Sequence, residues 1–208
     1  TFRKPNGVYA CLTPWNFPMN IPAELVAAAL AGGNSVILKP SEYTPGVGRW
    51  LADSFAAVCG RPVLQTVTGF GATGAALVDA QVDKIAFTGS AATGRKIMAA
   101  AAAHLTPVLM ECGGKDAMLV DADADLDAAA DAATWGGMSN AGQTCAGVER
   151  IYVHGDVYDE FVDRVVAKAS DVSAGSGEDD QIGPITMPSQ VDVIRRHVAD
   201  ALDRGGRA

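Results

Sequence analysis

Cysteine is scarce in this sequence and scattered: four residues in 208, Cys11, Cys59, Cys112 and Cys145, with no C-x-x-C pair. That argues against both a disulfide scaffold and a zinc ribbon, which need dense or paired cysteines. Histidine is as sparse. His104, His154 and His197 stand far apart, so a metal centre or a histidine-based triad would have to be assembled by the fold, and no metal is expected. Basic residues are outnumbered, 16 against 24 acidic, for a net charge of −8. Such a chain repels phosphate, which argues against nucleic acid or an anionic membrane as partner. No apolar run is long enough to span a bilayer, since the alanine-rich stretch before His104 is broken by Arg95 and Lys96. The first residues, Thr1-Phe2-Arg3-Lys4-Pro5, contain neither an apolar leader nor a methionine. The expectation is a soluble chain of the reducing cytoplasm, cut from something longer.

What is present is apolar residue, 49% of the chain, enough for a substantial core. Short strand-like runs alternate with longer alanine-rich stretches. Strands are predicted over Gly7–Leu12, Ser35–Leu38, Val63–Thr68, Lys84–Phe87 and Pro107–Glu111. Between them, helices are predicted over Pro22–Ala31, Gly46–Cys59, Gly74–Asp79 and Thr93–Ala103. This order implies crossover connections and a parallel sheet covered on both faces, an α/β fold. Beyond Gly113-Gly114, the expected hinge, the pattern continues with strand Ala117–Val120, helix Leu126–Asn140, strand Arg150–His154, helix Val157–Ser173 and a last helix over Ser189–Leu202. Two domains are expected, 1–112 and 113–208.

Two tempting motifs carry little weight. Asp121-Ala122-Asp123-Ala124-Asp125 opens like a calcium loop, but Leu126 and Ala132 stand where a turn glycine and a bidentate glutamate belong. An aspartate-capped helix start, with Asp123 or Asp125 as N-cap, is the better reading. Gly69-Phe70-Gly71-Ala72-Thr73-Gly74 is a literal G-x-G-x-x-G between a strand and a helix. The acidic residue expected about twenty positions on is replaced by the Thr88-Gly89-Ser90 neighbourhood, so a plain glycine turn explains it about as well.

Four other segments carry chemistry. Asn140-Ala141-Gly142-Gln143-Thr144-Cys145-Ala146-Gly147 holds one cysteine among small residues, which leaves its sulfur open to attack a substrate. Met110-Glu111-Cys112-Gly113-Gly114-Lys115 puts a carboxylate at a strand end beside the hinge. Thr13-Pro14-Trp15-Asn16-Phe17-Pro18 projects one amide from a rigid loop, and Lys39-Pro40-Ser41-Glu42 sets an ammonium three positions from a carboxylate. All lie at carboxyl ends of predicted parallel strands or beside the hinge, the edge where α/β sheets bind ligands. Read singly, each has a plainer alternative: Cys145 a small buried thiol, Glu111 a neutraliser of Lys115, Asn16 a turn former, Lys39 and Glu42 a solvated ion pair.

Together these segments, with Phe87-Thr88-Gly89-Ser90 and Gly94, resemble the aldehyde dehydrogenase superfamily in motif, order and spacing from the first residues to the last helix. The resemblance implies a Rossmann-like cofactor domain followed by the first part of an α/β catalytic domain. It implies Cys145 as the nucleophile toward an aldehyde carbonyl, Asn16 with the Cys145 N–H as oxyanion hole, and Glu111 as the base that hydrolyses a thioester. It carries over Lys39 and Glu42 as adenosine-ribose contacts, Ser90 as a pyrophosphate ligand, and Gly71 and Gly74 as flanking the adenine. Trp15, Ser41, Phe87, Thr88, Gly89 and Gly114 complete the implied cofactor set. The implied cofactor is NAD, with NADP less favoured, the substrate a small-molecule aldehyde, and the full-length parent a homo-oligomer.

The sequence departs from the family pattern at Cys112, where leucine is usual, which puts a second thiol next to the implied base. No counterpart of the family's later Glu-x-Phe-Gly-Pro segment occurs, nor of its N-terminal helices and hairpin extension, so the chain reads as a partial copy. Two other functions stay open at this point. One is acyl transfer to coenzyme A from the same thioester, against which Glu111 counts. The other is a non-catalytic nucleotide-binding fragment.

Overall fold

The computed structural model describes residues 4–207, which divide into two compact units, one running to Gly113 and the other beginning at Gly114. In the first unit, strands β1 (Val8–Leu12), β2 (Ser35–Lys39), β3 (Leu64–Thr66), β4 (Lys84–Gly89) and β5 (Val108–Cys112) alternate with helices α1 (Asn20–Ala31), α2 (Pro45–Cys59), α3 (Gly71–Asp79) and α4 (Ala91–Ala102). The strands form one sheet in the order β3-β2-β1-β4-β5, every neighbouring pair parallel. The chain steps outward from β1 through β2 to β3, then returns to β1's other side for β4. That reversal sits at the centre of the sheet.

Strand alternation sends successive side chains into two separate cores. Ala10, Leu12, Ile85 and Phe87 point to one face and pack with Leu77 and Val78 of α3 and Ile97 and Ala101 of α4. Cys11, Leu38, Val36 and Ala86 pack on the other with Val26 and Ala29 of α1 and Leu51 and Ala52 of α2. Apolar residues are therefore needed at every central strand position, which is why the runs are continuous. Each fully buried Leu, Ile or Val contributes about 1.5–3 kcal/mol over its exposed state.

The second unit pairs β6 (Asp116–Val120) with β7 (Val148–Val153) in parallel, with α5 (Leu126–Met138), α6 (Tyr158–Ser170) and α7 (Pro188–Asp203). Val120, Ala130, Ala133 and Phe161 form its core. Asp125 is the N-cap of α5, its carboxylate accepting from the backbone N–H groups of Asp127 and Ala128. Lys168 on α6 joins Asp127 and Asp131 of α5 at 3.2 and 2.6 Å, and Arg164 pairs with Glu160 at 2.7 Å. Those carboxylates push both cations' pKa values up, Arg164 chiefly through its hydrogen bond to Glu160 and Lys168 through that to Asp131. Among the described residues no helix is long and apolar enough to cross a membrane.

Several boundaries differ from the sequence expectation. The strand predicted over Val63–Thr68 is regular over Leu64–Thr66, with the Val63 carbonyl and the Val67 N–H still bonded to Val36 and Leu38 of β2 on either side. The helix expected near Gly74 begins at Gly71, since the N–H groups of both Thr73 and Gly74 turn back to the Phe70 carbonyl. Of the motif's three glycines, Gly69 alone, at φ 150°, supplies a turn that a side chain would obstruct. The helix expected to reach Asn140 stops at Met138, where the backbone turns extended at Ser139 and then left-handed. The helix expected over Val157–Ser173 spans Tyr158–Ser170.

Candidate active site

In the first unit the carboxyl ends of all five strands share one edge, and most sequence-predicted residues gather there. Leu12, Lys39 and Phe87 are in register across β2, β1 and β4. The loop carrying Trp15 and Asn16 leaves the end of β1, with both residues half-buried. The turn after β2 buries Lys39 and Ser41, at 7% and 5% exposure. The Lys39 ammonium donates to the Pro40 carbonyl at 3.1 Å and to Glu42 Oε2 at 3.4 Å. With its side chain 9% exposed against 30% for Glu42, this is a desolvated ammonium beside a half-open carboxylate, not a solvated pair. A buried charge needs such a partner.

Gly74, on α3, lies over this turn: a Cβ there would come 3.4 Å from Leu12 Cδ2 and 3.7 Å from Lys39 Cδ. Gly71, one turn earlier, faces open space. At the end of β4, Thr88 is buried and Gly89 is tightly seated on the Phe87 ring, whose Cζ lies 2.6 Å from where a Cβ would stand. The Phe87 ring thus belongs to the core and supports the corner from below. Ser90 is the N-cap of α4, its hydroxyl accepting from the Thr93 N–H at 3.2 Å and donating to Thr93 Oγ1 at 3.1 Å. The first N–H groups of an α-helix have no partner within it, so this end of α4 suits an anion.

Glu111 stands opposite Thr88 on β5, exposed. Its neighbour Cys112 points the other way, into the core beside Met110, and its Sγ lies 3.5 Å from a Cβ built on Gly94 of α4. The second thiol is adjacent to Glu111 in sequence but lies on the opposite face of the sheet.

In the second unit Cys145 is half-buried in the loop between α5 and β7. Three consecutive residues before it, Asn140, Ala141 and Gly142, have φ of 54°, 57° and 71°. Gly114 donates its N–H to the Cys145 carbonyl at 3.3 Å, so this glycine holds the cysteine loop's backbone. Lys115 pairs with Glu149, and its carbonyl accepts from Arg150 Nε at 2.9 Å. The charge beside Lys115 is thus Glu149, and the plainer alternative in which Glu111 merely neutralises Lys115 is not what this ion pair shows. Sequence reading also gave no role to Gln143, whose carboxamide reaches Thr186 across 43 positions. No local pattern signals a bond over that distance.

The aldehyde dehydrogenase family model matches residues 1–208. The chain belongs to the aldehyde dehydrogenase family. It is 42% identical to a 4,4'-diapolycopene aldehyde oxidase of Methylomonas, with 99% of this chain and 39% of the relative covered. Against a D-glyceraldehyde dehydrogenase (NADP(+)) of Thermoplasma acidophilum the identity is 37%, over 99% of this chain and 42% of the relative. Among solved structures, the NAD+ complex of an aldehyde dehydrogenase from Bacillus cereus aligns with a TM-score of 0.93 at 36% identity, over 97% of this chain and 42% of that one. Lactaldehyde dehydrogenase from Escherichia coli aligns at 0.94 and 35%, over 98% and 44%. The chain thus spans about two-fifths of the length of these relatives.

Proposed function

We propose that this aldehyde dehydrogenase chain oxidises an aldehyde to a carboxylic acid through a covalent intermediate on Cys145, with the first unit as nucleotide-binding domain and the second carrying the nucleophile. What carries the reading is family membership combined with a half-buried cysteine in a small-residue loop. The first unit's carboxyl edge fits a dinucleotide. Lys39 and Glu42 offer a donor and an acceptor to ribose hydroxyls, and the Ser90-capped end of α4 offers N–H groups to a pyrophosphate. NAD, when bound, supplies the acceptor for the hydride that leaves the carbonyl carbon.

The chain's own residues do the rest. The Cys145 thiol gives its proton to water, the thiolate sulfur adds to the carbonyl carbon, and the π electrons move to oxygen. Asn16 Nδ2 and the Cys145 N–H stabilise that oxyanion. Loss of hydride re-forms the carbonyl as a thioester. Glu111 takes a proton from the water that attacks it, and the acid departs as the carbon–sulfur bond breaks. A positioned base for water favours hydrolysis over transfer to coenzyme A.

Rapid mixing of the intact protein with aldehyde and NAD tests these roles. Cys145→Ala should give neither a burst of NADH nor a steady rate. Glu111→Gln should give about one NADH per site and then stall as an acyl-Cys145 adduct, its steady rate down about 100- to 10,000-fold. A missing burst in Glu111→Gln would move that residue to a step before hydride loss.

We further propose NAD over NADP. Glu42 accepts from both ribose hydroxyls but repels a 2′-phosphate, a repulsion that Lys39 beside it only partly offsets. Glu42→Gln should therefore raise kcat/KM with NADP relative to NAD. Equal use of both cofactors before and after the substitution would remove Glu42 from the choice.

A further inference from the structure

The bonds around the cysteine loop single out Gln143, and the inference from them rests on the reading of Cys145 as nucleophile. Its carboxamide is used at both ends. Nε2 donates to the Asn140 carbonyl at 2.9 Å, and Oε1 accepts from the Thr186 N–H at 2.8 Å. The Gln143 backbone N–H reaches the same Asn140 carbonyl at 3.1 Å, and Asn140 Nδ2 returns a bond to the Gln143 carbonyl at 3.3 Å. Only one orientation of a carboxamide meets a carbonyl at one end and an N–H at the other. Neither a carboxylate nor an alkyl side chain can make both bonds.

These bonds close around a strained turn. Asparagine and glycine tolerate a positive φ, but Ala141 at 57° does not rest there by preference. The segment carrying Thr186 is itself anchored, because Gly175 donates to the Ile182 carbonyl at 2.9 Å upstream and α7 begins at Pro188 downstream. Gln143 thus ties a strained turn to a fixed strap, two residues before Cys145. On the far side, Gly114 holds the Cys145 carbonyl at 3.3 Å, and Thr144 Oγ1 reaches the Ser139 carbonyl at 3.4 Å. The Thr144–Cys145 peptide is itself held at its carbonyl, which accepts from the Gly147 N–H at 3.4 Å, and the bonds on either side fix the residues that flank it.

We infer that Gln143 is a positioning residue, which aims the Cys145 N–H at the developing oxyanion by bridging the Asn140 carbonyl and the Thr186 N–H. Its loss should harm reactions of the thiol that build an oxyanion and spare those that do not. Two probes of Cys145 separate these in the intact protein, each read by mass spectrometry of the labelled cysteine. Iodoacetamide alkylates sulfur by displacing iodide, with no oxyanion. p-Nitrophenyl acetate acylates it through a tetrahedral oxyanion and releases p-nitrophenolate.

Gln143→Leu should slow acylation by about 10- to 100-fold, less than outright removal of an oxyanion donor, and leave alkylation unchanged. Gln143→Glu keeps the length and the acceptor for Thr186 but has no donor for Asn140, so it should show the same selective loss if the leucine variant does not fold. A parallel fall in both reactions would mean that Gln143 only keeps the loop folded, and would overturn the inference, as would no change in either. If Cys145 of the unsubstituted protein is not acylated at all, the nucleophile reading fails first and this inference fails with it.

Discussion

Burial alone separates Cys11 from the other three thiols. It has no exposed surface, and desolvation of the thiolate pushes its pKa up from the ordinary 9.0 to about 12. The native chain therefore keeps a proton that the unfolded chain releases between those values. The stabilisation is complete below pH 9 and is lost as pH rises toward 12, at up to about 1.4 kcal/mol per pH unit. Unfolding in urea from pH 8 to 10.5 should show this as a steeper alkaline decline than Cys11→Ala shows; parallel curves would mean that the buried thiol does not hold its proton. Cys112 illustrates what sequence proximity hides. Strand alternation carries it away from Glu111 and into the core beside α4. Cys145, Asn16 and Lys39 were legible as candidates because they sit in multi-residue motifs, whereas the burial of Lys39 and the bridge from Gln143 to Thr186 arise only when distant segments meet.

Among the elements, the alternation of strand and helix could be read directly from apolar periodicity, because a sheet covered on both faces requires it. The order β3-β2-β1-β4-β5 could not, since every parallel order leaves the same pattern in each strand. Element ends were least legible where a tertiary contact sets them. Ser139, Asn140 and Gly142 are poor helix formers, and the chain leaves α5 at Met138. The carboxamides of Asn140 and Gln143 stabilise a left-handed turn that Asn140 and Gly142 tolerate but Ala141 does not favour. The start of α3 shows the opposite error. Glycines suggested a loop to Gly74, but Gly71 and Gly74 are helical, and a Cβ on Gly74 would meet Leu12 and Lys39 at ordinary contact distance. Departures from local propensity thus fall beside the sheet's carboxyl edge in one unit and at the cysteine loop in the other.

At the scale of the whole molecule the two units are built on unequal sheets. In the first, β1 is hydrogen-bonded on both sides, to β2 and β4, and its side chains are shared between two cores. In the second, among the described residues, β6 and β7 have only each other. Val120 and Val153 turn inward to α5 and α6, whereas their neighbours Leu119 and Tyr152, in register with one another, are 79% and 55% exposed. A two-stranded pair covered on one face is held by few long-range contacts, so its amides should open in smaller and less costly fluctuations than those of a covered five-stranded sheet. Native-state hydrogen exchange of the 208-residue chain tests this. Amides of β1, β2 and β4 should be the slowest, and those of β6 and β7 should exchange at least about tenfold faster, a gap of about 1.4 kcal/mol in opening free energy. Exchange in β6 and β7 as slow as in β1 would refute that ordering. It would mean that the outward face of Leu119 and Tyr152 is covered in solution.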